Sequence, residues 1–138
     1  MDKTQLEALI RQVLAEKLGG NPVKFFSPAY RMTEADRLDT GNPADRVYTH
    51  DLFSLQDSPR LGLGLMVMER SDFPWTLHYD EIDYVLEGTL TIRTAQGEVT
   101  APAGEGILIP RGTEIHFSAP EYARFLYVTY PADWQNQA

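Results

Sequence analysis

A packed run of ionisable side chains sits near the middle of the chain, His78-Tyr-Asp-Glu-Ile-Asp-Tyr84. Strand alternation from Glu81 puts Glu81, Asp83, Val85 and Glu87 on one face, with Ile82, Tyr84 and Leu86 on the other. Two carboxylates in one apolar interior raise each other's pKa. They can then share a proton or hold a hard cation such as Mg2+, which keeps most of its waters. A structural role, with both groups bonded to loop amides or Tyr hydroxyls, is equally open at this stage. Glu81, Asp83 and Tyr84 are the candidate catalytic residues, and Trp75, His78, Tyr79 and Asp80 the candidate substrate-binding residues. No phosphate-binding loop and no Ser-His-Asp set can be assigned from spacing. Gly62-Leu-Gly64 lacks the rest of a dinucleotide fingerprint. Without cysteine there is no thiol nucleophile, disulfide or thiolate metal site.

The elements that must hold these residues read mostly as short strands. Leu61 to Arg70 reads as a core strand, and Phe73-Pro-Trp75 as a bend into the acidic segment. Gly62 and Gly64 are expected to serve plain packing rather than to line a pocket. Gly88 closes the acidic strand, Thr89 to Thr94 alternates cleanly, and Ala95-Gln-Gly97 gives a hairpin turn. Gly104-Glu-Gly-Ile-Leu-Ile-Pro-Arg-Gly112 is a short apolar strand ended by a turn. Residues 23 to 60 hold strand-like runs, Val47-Tyr-Thr and Leu52-Phe-Ser-Leu55, between turn formers, and His50 among them reads as a hydrogen-bonding residue. A last strand from Ala123 to Tyr130 ends at Pro131 and leaves Trp134 to fold back on the body. Ahead of all this, Leu6, Leu9, Ile10, Val13, Leu14 and Leu18 form one helical stripe, with Thr4 and Glu7 as a capping box and Gly19-Gly20 as a pliable joint. The expected division is residues 1–20, helix and linker, and residues 21–138, one β domain.

The spacing Glu81-x6-Gly88 followed by Gly104-x5-Pro110-x-Gly112 resembles the paired motifs of the cupin superfamily, which implies an all-β double-stranded helix, or jelly roll. In that family three His and one Glu hold a metal. Here the His positions fall on Trp75 and Leu77, or Pro74 and Thr76 with the longer gap, and on Ile115, so only Glu81 remains. His116 is one residue off, which on a strand means the opposite face. The phrases Phe73-Pro-Trp-Thr-Leu-His-Tyr-Asp-Glu-Ile-Asp-Tyr-Val-Leu-Glu-Gly88 and Phe125-Leu-Tyr-Val-Thr-Tyr-Pro-Ala-Asp-Trp134 resemble, more specifically, the ethanolamine-utilisation EutQ family across residues 22 to 134. That resemblance implies a protein of two-carbon catabolism in a bacterial microcompartment, with an acetate kinase activity using ATP. Under it Glu81 and Asp83 would carry Mg2+, and Arg93, Arg111 or Arg124 would meet phosphate. No stoichiometric transition metal is expected. The N-terminal helix resembles the encapsulation peptides that attach enzymes to microcompartment shell or core proteins, here through residues 4–18.

The net charge of −8 disfavours nucleic acid and anionic membrane as partners, and no run of apolar residues reaches the length of a membrane span. A cytoplasmic homodimer acting on a small two-carbon metabolite inside a microcompartment is the enzyme reading. The competing reading is a metal-free binding or assembly protein whose barrel is a scaffold.

Overall fold

The computed structural model describes residues 2–17 and 21–137. Six strands form the body: β1 Arg46–Asp51, β2 Gly62–Thr76, β3 Asp80–Thr94, β4 Gly97–Pro102, β5 Gly106–Ile109 and β6 Glu114–Tyr130. All pairings are antiparallel, in the order β1-β2-β6-β3-β4, with β5 pairing the first half of β3. The architecture is all-β and of cupin type, with one N-terminal helix, α1 Lys3–Lys17.

Three long strands carry the barrel, and bulges bend them. β2 runs on through Phe73-Pro-Trp75, where the sequence suggests a bend. The irregularity lies instead at Arg70, whose φ of 45° interrupts the register between Glu69 and Ser71. The extra residue shifts side-chain parity. Met66 and Met68 face the core before it, Phe73 and Trp75 after it. A second register shift between Val85 and Glu87 takes Glu87 off the inner face that Glu81, Asp83 and Val85 share, so Glu87 is exposed. Gly88 follows with φ 74°, and its position lies against the Tyr122 carbonyl, where a Cβ has no room. Leu52 to Leu55 forms a turn rather than a strand. Ser54 Oγ and the Asp57 carboxylate cap each other's backbone N–H groups and take those donors from any ladder. The last strand reaches back to Glu114, so Ala123–Tyr130 is only its second half.

Helix α1 begins two residues earlier than Thr4 and Glu7 suggest. Asp2 Oδ1 accepts from the Gln5 N–H at 2.7 Å while Gln5 Oε1 accepts from the Asp2 N–H at 3.0 Å, a reciprocal cap. Leu6, Leu9, Ile10, Val13 and Leu14 are all 40–51% exposed, so this part of the stripe is not packed on the barrel. Leu18 and the Gly19-Gly20 joint lie outside the described residues. A stripe that buries nothing contributes little to the barrel's stability. Deleting residues 1–20 should therefore leave the thermal midpoint within a few degrees in calorimetry, and a large drop would mean that the helix belongs to the core.

Candidate functional site

Position along β3 decides what Glu81 and Asp83 become. Glu81 pairs with Ile109 of β5 and Thr129 of β6, and Asp83 with Ile107 and Tyr127. Flanked on both sides, these two positions are sealed from solvent: Asp83 is 0% and Glu81 5% exposed. Glu81 Oε2, both carboxyl oxygens of Asp83 and Thr129 Oγ1 have no hydrogen-bond partner. Burial is the main force on both carboxyls. It lifts Glu81 to about 7 and lifts Asp83 well above the carboxylate range, helped by the charge of Glu81. Side by side, the two groups form a pair that holds a proton where isolated carboxylates would not.

Above the pair stands an aromatic wall. Trp75 Nε1 donates to the Tyr79 hydroxyl at 2.8 Å, and Tyr127 Oη donates to Asp51 Oδ1 at 2.7 Å. Trp134, on a single 3-10 turn after β6, stands with its ring centroid 6.2 Å from Trp75, 5.9 Å from Tyr79 and 6.0 Å from Tyr127. Burial first, and then nearby carboxylates, push the Tyr79 and Tyr127 hydroxyls upward, so both stay neutral donors. The Tyr127 ring occupies the space where a side chain at Gly64 would stand, and Thr129 Oγ1 that at Gly62. These glycines thus admit two residues of the site. Glu81 lines a cavity of only about 10 Å3 beneath the rings, close to the least volume that seats one water.

That volume decides about Mg2+. Two carboxylates and a hydroxyl are hard oxygen donors of the right kind, but Mg2+ keeps several waters, and there is no space for them. Among the described residues no cluster of three His, Asp or Glu could hold a metal either. The barrel centre therefore does not suit the hydrated Mg2+ that the sequence suggests for Glu81 and Asp83.

The other sequence candidates scatter. Tyr84 is 47% exposed on the outer face, away from Glu81 and Asp83, because it has the opposite parity on β3. Asp80 is exposed, and its Oδ1 accepts the Arg111 N–H at 2.8 Å, which ties down the Pro110–Gly112 turn. His78 is half-buried beside Trp75, Tyr79 and Trp134 in a groove of about 180 Å3. Trp75 and Tyr79 do meet the acidic pair. Ile115 is buried and paired with Trp75, while His116 faces outward. There His116 Nδ1 and Asp72 Oδ1 are 2.9 Å apart, and Arg93 donates to both Asp72 oxygens at 2.8 and 3.1 Å. The Arg93 bonds, more than His116 and Ser118, hold the Asp72 carboxyl near 2. Arg93 and His116 line a cleft of about 750 Å3 that Trp75 also walls. His50 is structural, stacked on Tyr30 at 3.7 Å with its Nδ1 2.9 Å from Asp36.

Residues 21–136 match the model of the ethanolamine utilisation protein EutQ family. The chain belongs to this family. It is 51% identical to "Acetate kinase EutQ" of Clostridioides difficile strain 630, over 99% of this chain and 96% of that protein. Identity to the protein of the same name from Salmonella typhimurium LT2 is 46%, but over 62% of this chain and 38% of that protein. The solved Clostridium difficile EutQ structure superposes with a TM-score of 0.79 at 59% identity, covering 80% of this chain and 81% of that one. A polyketide cyclase, RemF of Streptomyces resistomycificus, shares the fold with a TM-score of 0.58 at 24% identity.

Tyr127, Thr129 and Trp134 are the site residues that spacing arguments miss. Their signal lay in the alternation of Phe125, Tyr127 and Thr129, which gives β6 a polar inner face beside β3.

A group that folding makes harder to ionise loses stability as pH rises, because the native state binds more protons than the unfolded chain between the two pKa values. For Glu81 that interval runs from about 4.5 to about 7. Unfolding free energy should fall across it by roughly 3 kcal/mol. Denaturation at pH 5 and pH 8 should show this decline in the wild type, and the Glu81→Gln/Asp83→Asn double variant should be nearly flat.

Proposed function

We propose that this EutQ-family chain transfers the γ-phosphoryl group of Mg-ATP to an acetate oxygen, giving acetyl phosphate and ADP, within bacterial ethanolamine catabolism. The observation that carries this reading is the 51% identity, over nearly the full length of both chains, to a protein named acetate kinase. Phosphoryl transfer asks the protein mainly to position the phosphates and offset their charge. The cleft of about 750 Å3 falls in the size range of small-molecule sites, and Arg93 is the one of the three arginines singled out in the sequence that lines it with its guanidinium half-exposed. Arg124 is committed to the Pro28 and Tyr30 carbonyls. Arg93 keeps donors beyond the two that hold Asp72, and Mg2+ enters on the nucleotide.

Two further parts of the reading concern partners. The exposed stripe of α1 attaches the chain to a microcompartment shell or core protein. This stripe also supports the alternative of a scaffold without turnover. Leu63, Val128, Ile82 and Leu108 stand in register across β2, β6, β3 and β5 on the outer face, with Ile82 and Leu108 51% and 66% exposed. A row of this kind is covered by a second copy of the chain, and Tyr84 stands beside it.

Acetyl phosphate formation from acetate should require Mg-ATP and drop about a hundredfold in kcat in Arg93→Gln, with an unchanged melting temperature. A wild type without turnover sinks the kinase reading, and full activity in the variant moves the site elsewhere. In sedimentation the wild type should run as a dimer and Ile82→Asp as a monomer, whereas a monomeric wild type removes the dimer. Residues 1–20 fused to a fluorescent protein should co-purify with microcompartment shells, and an unbound fusion removes the attachment role.

A further inference from the structure

The barrel centre differs in chemistry from the outer cleft, and that contrast points to a second ligand. At its floor lies Glu81, which lines the cavity and whose Oε2 is buried and without a hydrogen-bond partner. Its walls are the rings of Trp75, Tyr79 and Tyr127, and its roof is Trp134. Carboxylates attract cations, and the faces of aromatic rings do so as well, most strongly those of Trp and Tyr. Neither feature suits acetate or phosphate. The size of the space narrows the cation further. About 10 Å3 admits a group the size of water. An –NH3+ head is that small, and one of its three N–H donors would meet the unpartnered Glu81 Oε2. A trimethylated head is several times too large.

The rest of such a ligand has a route outward. The cavity and the neighbouring groove of about 180 Å3 share Trp75, Tyr79 and Trp134, so these rings are the partition between them. Trp134 is the part of that partition that no strand holds. It sits on a single turn beyond β6, and its indole N–H reaches Asp51 Oδ1 at a long 3.4 Å. With the ammonium against Glu81, a short chain passes between Trp75 and Trp134 to His78 and Gln135 in the groove.

We infer that the barrel centre is a binding site for a small primary alkylammonium ion of the 2-aminoethanol type, with Glu81 as its counter-ion and Trp134 as its hinged cover. This site is separate from the cleft assigned to phosphoryl transfer, and it stands whether or not acetyl phosphate is formed.

Both tryptophans of the chain line this site, so intrinsic tryptophan emission responds to its occupancy, although Trp75 also borders the outer cleft. Titrating the full chain with ethanolammonium chloride should give a saturable change in emission, and calorimetry one site per chain. Choline chloride, too large at the head, and ethylene glycol, without charge, should give no saturable change at the same concentrations. Sodium acetate, whose proposed site is the outer cleft, should not displace ethanolammonium. Glu81→Gln should weaken ethanolammonium binding at least tenfold. No saturable response to ethanolammonium overturns the inference. So does choline binding as tightly as ethanolammonium, or wild-type affinity in Glu81→Gln. Should that variant not fold, the ranking of ethanolammonium, choline and ethylene glycol on the wild type decides the question.

Discussion

Withdrawal of two carboxyl groups from water at Glu81 and Asp83 is the constraint on which the rest of this barrel depends. An ionised carboxylate in such a place is costly, and it either finds a partner or takes up a proton. β3 leaves no third choice, since β5 and β6 cover it on both sides at these positions. The apolar residues that seal the pair, Ile107, Ile109 and Val85, are the same ones that make the core. Stability of the barrel and the chemistry of its centre therefore draw on one set of contacts, and a change that loosens one alters the other.

Apolar residues, Trp75, Leu77 and Ile115, take the places where imidazoles would hold a metal in this superfamily, and the exchange changes the kind of site. Imidazole nitrogens present lone pairs to a borderline metal, whereas Trp75 presents a ring face and a single N–H that is already given to Tyr79. His116 shows how strict strand parity is. One residue from an inward position, it stands on the outer surface with Asp72 and Arg93. The histidine and the arginine that the interior lacks are used outside, on the far side of the same strands.

Much of this was legible in the chain. The period of two along Glu81, Asp83 and Val85 is a local property, and burial of one face follows from it directly. The glycine and proline spacing placed β5 and its turn, because those residues fix backbone angles without help from distant parts. Legibility failed where one residue shifts a register. Nothing in Glu69-Arg-Ser announces the bulge at Arg70, yet the bulge brings Trp75 inward. Nothing in Val-Leu-Glu marks the shift that turns Glu87 out. Asp72, Arg93 and His116 are separated by 21 and 44 residues, so only the folded sheet brings them together. At the N-terminus, two capping boxes compete within seven residues, and the one with Asp2 at its head wins. An ionised carboxylate accepts backbone N–H groups more strongly than a hydroxyl, and it also complements the helix dipole.

Trp75 stands between the outer cleft and the inner cavity. Its indole walls the outer cleft that holds Arg93, and also the inner cavity that holds Glu81, so sites of opposite charge preference lie on two sides of one side chain. Were both proposed ligands bound, their opposite charges would attract across the low dielectric of the barrel, and joint occupancy would be favoured over single occupancy. Any such coupling is reciprocal, so an ammonium ion that strengthens phosphate binding is itself held more tightly when phosphate is present. The bond from Trp75 Nε1 to Tyr79 fixes the ring against the inner site, and its loss would free the indole toward the cleft. Any mechanical link between the two proposed ligands would run through this one hydrogen bond.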